Sequence, residues 1–167
     1  MKKIAILAVC ILLYATADSL GAEITPSDAF AAADLAERNL EVLLDAKGIK
    51  EVRLLKKIES GLNPMHPYQV IVESVESLIA LQKKEKLRPM PRIVSSPMMY
   101  MPEDVRNLGQ MLVQEIQRIS DIRGIKNYPN DLRQFHGKVP ADVFGKHLDV
   151  FIKLRILADM EEISPNE

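Results

Sequence analysis

Three kinds of side chain in this chain could do chemistry: histidine imidazoles, methionine thioethers and a recurring set of aspartates. The histidines are His66, His136 and His147. A metal site inside a helical bundle uses inward-facing glutamates and Glu-x-x-His pairs, so that ligands one turn apart reach the same ion. No Glu-x-x-His and no His-x-x-x-His occurs here. The histidines therefore read as helix-start or surface residues, and no metal ligand is assigned.

Met98, Met99 and Met101 surround Tyr100, with Met90 upstream. Soft thioethers select Cu(I), but methionine also builds adaptable binding surfaces and fills irregular apolar gaps. No histidine or cysteine stands beside the cluster to complete a soft metal site. Met98, Met99, Tyr100 and Met101 are accordingly the candidate partner-binding residues, with copper binding as the alternative.

The aspartates Asp28, Asp104 and Asp142 look like a carboxylate set, and His66 takes the equivalent place in the remaining segment. Each follows a proline by two residues. A carboxylate in a first helical turn is favoured by the positive helix end, which explains the set without catalysis. The chain has no Gly-rich phosphate loop, no Gly-x-Ser-x-Gly and no His-Glu-x-x-His. With seven glycines and no tryptophan, it offers few places for a strained catalytic loop. The reading is of a non-enzymatic chain with no catalytic residue and no cofactor.

What positions these residues is a repeat. Pro26, Pro64, Pro102 and Pro140 are spaced 38 residues apart (64−26, 102−64, 140−102). Fourteen residues after each proline stand Leu40, Leu78, Ile116 and Leu154. Three residues further stand Leu43, Leu81, Ile119 and Leu157, and then Ile49, Leu87, Ile125 and Ile163. Self-similarity at a fixed period means one unit used several times.

Each unit reads as a helix. Proline suits the first turn, where its missing N–H costs nothing. Thr25 and Asn63 precede two of the prolines as N-caps able to accept orphan amides. In the third unit Val105, Leu108, Leu112, Ile116, Ile119 and Ile122 step by three and four. Gly48 and Gly124 close two helices. Helices are predicted at about 26–47, 64–86, 102–123 and 140–161. An isolated helix of this length is marginal, so the apolar faces must cover one another. The expected fold is all-α: a four-helix bundle of four 38-residue repeats. An open helical-repeat array is the alternative, although the tetratricopeptide pattern is absent.

The connectors are longer than ordinary bundle loops. The first, with Val52, Leu55 and Ile58 at helical spacing before Gly61, is expected to hold a short helix. The second, Arg88-Pro-Met-Pro-Arg-Ile-Val-Ser-Ser-Pro97, should be extended. The third carries the turn signal Asn127-Tyr-Pro-Asn-Asp131. Connectors of this reach permit parallel as well as antiparallel neighbours. Gly-Ile-Lys recurs at 48–50 and 124–126, hinting at two halves of two units each.

The beginning of the chain reads as an export signal. Lys2 and Lys3 precede the apolar run Ile4 to Tyr14, and Ala15-Thr16-Ala17 fits the small-x-small cleavage rule, with a second site near Ala22. Residues 1–22 are thus the expected signal, 23–163 one helical domain and 164–167 a tail. The apolar run is too short for a bilayer span of about 20 residues. Cys10 is the only cysteine and lies within the signal; Val9 is large for the position before an acylated cysteine. The mature chain would have no thiol and no disulfide.

Losing Lys2 and Lys3 takes the net charge from −1 to −3. The densest basic run, Lys83 to Arg88, contains Glu85 and suits a solvated helix end. Nucleic acid, whose binding needs a basic surface, is not an expected partner. A periplasmic or secreted location is expected, as a protein-interaction or structural module of the cell envelope with another envelope protein or self-association as the partner; a bundle that binds a small ligand or copper is the alternative. Intact mass of the exported protein tests the signal: the expected species begins after Ala17 or near Ala22. A full-length mass would contradict it, and a lipid increment would point to Cys10.

Overall fold

Each predicted unit folds as one helix, and the spacing of its buried residues explains how the helices meet. The computed structural model describes residues 23–50, 52, 61–93 and 100–161. Four helices are present among them: α1 (Pro26–Ala46), α2 (Met65–Lys84), α3 (Pro102–Ile122) and α4 (Pro140–Met160). Their starts and ends agree with the sequence reading to within two residues. The short helix expected between Glu51 and Ser60 lies outside the described residues, apart from Val52. The signal, Cys10, Ile163 and the tail also lie outside them.

Residues three, seven, ten, fourteen and seventeen positions after each proline face the axis, an alternation of three and four that is a heptad. At fourteen, Leu40, Leu78, Ile116 and Leu154 are all 0% exposed. At ten, Ala36, Ser74, Leu112 and Val150 are all buried, and so are Leu43, Leu81, Ile119 and Leu157 at seventeen. Ile49, Leu87 and Ile125 pack against this core from just beyond the helix ends. Ile122 departs from the expectation for the third unit. It is 57% exposed, because it falls in the last helical residue, off the heptad stripe.

Equal offsets can share a layer only if the helices run in the same direction. Accordingly Pro26, Pro64, Pro102 and Pro140 line one small cavity at the N-terminal end, with Ala29, Pro67, Val105 and Val143. At the other end Lys47, Glu85, Arg123 and Glu161, each 21 residues after its proline, come together. Arg123 Nη2 lies 2.7 Å from Glu85 Oε1 and 2.8 Å from Glu161 Oε1, while Lys47 Nζ lies 3.2 Å from Glu161 Oε1. The structure is thus a parallel bundle. α1 and α2 each pack against both α3 and α4, so the order around the axis is α1, α3, α2, α4. The pairs α1/α2 and α3/α4 face each other diagonally, with no close backbone approach between them. Two self-contained halves are therefore ruled out: neither sequential pair forms an interface of its own.

Start and stop chemistry is shared as well. The backbone N–H of the residue before each proline donates to the first-turn side chain: Thr25 to Asp28 Oδ2 (2.8 Å), Met101 to Asp104 Oδ2 (2.8 Å) and Val139 to Asp142 Oδ2 (3.1 Å). In α2 the Asn63 amide makes the corresponding bond to His66 Nδ1 at 3.2 Å. Asn63 Oδ1 accepts the Met65 N–H (3.0 Å), as an N-cap should, whereas the Thr25 hydroxyl donates to Asp28 instead. At the stops, Ile49, Leu87 and Ile125 donate back to Leu44, Gln82 and Ser120, which requires a left-handed residue just before. Gly48 and Gly124 supply it in two helices, and Lys86 is forced into it with φ +57°.

Denaturant melts separate these contributions. Leu78→Ala should cost about 2–5 kcal/mol, since it opens a cavity in a fully buried layer. Asp142→Ala should cost about 0.5–2 kcal/mol, the loss of one capping bond. Lys86→Gly should gain about 0.5–1 kcal/mol by relieving the left-handed side chain. An Asp142 effect as large as that of Leu78 would mean that the capping position carries more than a helix start.

Candidate functional site

The groove connectors decide which surfaces remain open. Residues 85–93 run beside α2 and α3. There Gln82 Oε1 accepts the Met90 N–H (2.7 Å), its amide donates to Glu115 (2.5 Å), and Arg118 donates to the Arg88 carbonyl. Residues 123–139 return between α1 and α3. Asn39 Nδ2 donates to the Pro129 carbonyl (2.9 Å), Arg38 Nη2 to the Asp131 carbonyl (2.6 Å), and the Lys138 N–H to Ser27 Oγ (3.2 Å).

The methionine group is divided by this path. Met90 is buried beside Gln82, near the C-terminal end of α2. Met101 caps α3 at the opposite end and is 54% exposed. Tyr100 stacks on Tyr68, with ring centroids 3.9 Å apart. Met98 and Met99 lie outside the described residues. Met90 therefore serves packing, while Tyr100 and Met101 belong to the N-terminal end of the bundle.

Among the described residues, Met65, Met101 and Val139 are exposed at that end and Leu132 on the flank beside it, against Ile122 and Met160 at the other end. The cavity inside the proline ring has about 10 Å³ of room for water centres, enough for a single water-sized group. A far larger cleft, about 830 Å³ by the same measure, opens on the flank of this end. Its walls are the start of α1 (Thr25, Ser27, Asp28, Ala31), Arg106 and Gln110 of α3, and the connector from Leu132 to Lys138. The cleft is not legible in the sequence, because its walls come from three segments, two of them far along the chain from the start of α1. The turn signal at 127–131 marked the connector but not what it faces.

Ionisable groups inside the bundle serve the fold. Lys153, only 5% exposed, bridges Glu37 (2.7 Å) and Glu41 (2.5 Å), and Lys146 also reaches Glu37 (2.6 Å). Burial pushes the Glu37 carboxyl up, but Lys146 and Lys153 outweigh it and hold it below its usual range. Burial likewise works against the Lys153 ammonium, and Glu37 and Glu41 more than offset it, so its pKa is raised. A lysine so held is a poor nucleophile. Among the described residues no group of three His, Cys, Asp or Glu is placed to hold a metal ion.

His147 is different from the surface histidine that the sequence suggested. It is 0% exposed, and neither ring nitrogen has a hydrogen-bond partner. It occupies the layer seven residues after the prolines, with Ala33, Ile71 and Gly109. A Cβ placed on Gly109 would lie 3.4 Å from His147 Cε1 and 3.1 Å from Ala32 Cβ. The imidazole thus reaches across the axis into room that a glycine leaves. The heptad phase could have shown its burial, since residue 147 follows Pro140 by seven.

Burial pushes the His147 pKa down to about 3, from an ordinary value of 6.5. The unfolded chain then binds a proton that the folded one refuses between those values. Stability rises with pH across that window and is lost on acidification, by up to about 1.4 kcal/mol per pH unit. Urea melts at pH 7, 5.5 and 4.5 should show His147→Leu gaining on the wild type as pH falls. A difference that stays constant with pH would contradict the buried neutral imidazole. No family model, no curated protein sequence and no solved structure matches the chain, so its function has to be argued from this geometry alone.

Proposed function

We propose that this chain is an exported, non-enzymatic helical protein that binds another protein of the cell envelope through the N-terminal end of its bundle. The observation that carries the reading is the open surface there: Met65, Met101 and Val139 beside the proline ring, next to the large flanking cleft with its exposed Leu132. Exposed apolar side chains gathered at one site, with a polar rim, are characteristic of contact surfaces. The rim here is supplied by Thr25, Asp28, Asp104 and Arg106.

The use of the ionisable groups supports the same reading. Asp28, Asp104 and Asp142 hold helix starts. The α1–α4 network holds two helices together, and the cluster around Arg123 joins the helix ends. These groups are committed to the fold, and a rigid end face is what they produce. Rigid aromatic and methionine side chains such as the Tyr68–Tyr100 stack and Met101 are suited to such contacts.

A photo-crosslinking amino acid placed at Met101 in native cells should trap one discrete protein adduct. The same amino acid at Ile122, at the opposite end, should trap none. Met101→Glu should lower recovery of the trapped partner about tenfold, the effect of one charge in an apolar contact. Equal labelling from both ends, or none from Met101, would refute the assignment of the binding face.

A further inference from the structure

The lining of the flanking cleft holds more cations than carboxylates. Three permanent cations line it, Arg106, Arg133 and Lys138, against two carboxylates, Glu23 and Asp28. The Asp28 carboxylate is already committed, for it accepts both the amide (2.8 Å) and the hydroxyl (2.7 Å) of Thr25. The Lys138 ammonium sits 4.5 Å over the ring of Phe30 and 5.9 Å from that of Phe135, and among the described residues no carboxylate lies within ion-pair distance of it. Arg106 Nε and Nη2 both donate to Asn107 Oδ1, at 3.2 and 2.9 Å, and Nη2 also lies 3.9 Å from Glu103 Oε1, a long and exposed pair of the kind that contributes little. The first turn of α1, with the positive end of its dipole, forms one wall.

The cleft is also partly apolar. The exposed Leu132 and the half-buried Phe135 stand among these cations, and Phe135 is fixed edge-on against Phe30 at 4.7 Å between centroids. At about 830 Å³ it is near the upper end of small-ligand sites, far more than a lone inorganic anion fills. Nucleic acid fits poorly, because three cations in one cleft fall far short of the extended basic surface that it needs. Cations spaced along an open trough, with apolar side chains between them, match an extended polypeptide carrying carboxylates and apolar residues.

We propose that this cleft receives an acidic, partly apolar segment of a partner polypeptide, with Arg106, Arg133 and Lys138 facing its carboxylates. The proposal rests on the reading of the chain as a protein-binding module and adds the chemistry of what it binds. Association of this kind depends on ionic strength, since the cations are at the surface.

Fluorescence anisotropy tests it with a labelled peptide of four Glu-Leu pairs, against Gln-Leu and Lys-Leu versions, on the full exported chain. The Glu-Leu peptide should bind about tenfold more tightly than Gln-Leu at 100 mM salt, and Lys-Leu should not bind. Arg106→Gln with Arg133→Gln should weaken Glu-Leu binding about tenfold, while Lys50→Gln, at the far end of the bundle, leaves it within about twofold. Arg133→Gln alone, at an exposed connector position, gives a variant that tests the cleft should the double change disturb α3. Equal affinity for Glu-Leu and Gln-Leu peptides, or no binding of either, would overturn the proposal. So would displacement of the peptide by citrate at equal concentration, which would make the ligand a small carboxylate. If the acidic peptide fails while the adduct from position 101 persists, the cleft assignment falls and the protein-binding reading stands.

Discussion

Four helices of about 30 Å that all point the same way oblige the chain to travel back the full helix length three times. An extended strand needs about ten residues for that return. The connectors, 47–64, 85–101 and 123–139, are longer than this minimum. The surplus lets them pack: Met90 is buried, Phe135 is set against Phe30, and Asn39 and Gln82 spend side-chain hydrogen bonds on connector backbone. The return path therefore determines both the grooves that are closed and the cleft that is left.

Parallel packing also brings like helix ends together, and each end carries its counter-charges. Asp28, Asp104 and Asp142 stand at the N-terminal end, where four positive dipole ends meet. Lys47, Lys84 and Arg123 stand at the other end, with Glu85 and Glu161 pairing among them. Exposed pairs of this kind contribute little each, but those around Arg123 and Glu161 are shielded, at 11% and 6% side-chain exposure, and loss of one partner would strand the other. The arrangement favours one register, because a shift of one helix would part the charges around Arg123 and Glu161.

Between the ends the layers are not uniform. Large aliphatic residues fill the layers of Leu40 and Leu43, whereas the layer of Ala33, Gly109, Ile71 and His147, taken in order around the axis, sets two small residues side by side and two large ones opposite them. Small residues on α1 and α3 allow close approach there, and the imidazole fills the remaining room. This layer lies near the N-terminal end, one turn beneath Val105 and Val143. The polar, unpartnered ring gives that half of the bundle its sensitivity to acid, while the aliphatic layers below supply most of the burial.

The sequence by itself determined the helices, their starts and stops, and the residues that share a layer. These are local facts: proline in the first turn, an aspartate two residues on, glycine at the stop, and apolar residues at heptad spacing. It did not determine helix direction, since connectors of this reach allow either, nor the order α1, α3, α2, α4, since four similar faces can pair in several ways. Nor could it show that Met90 and Met101 part company, or that Lys86 takes a conformation glycine holds elsewhere. The cleft was least legible of all. Arg106, Arg133, Lys138 and Thr25 belong to different segments, and only closure of the bundle, with a connector folded back across α1, sets them around one space.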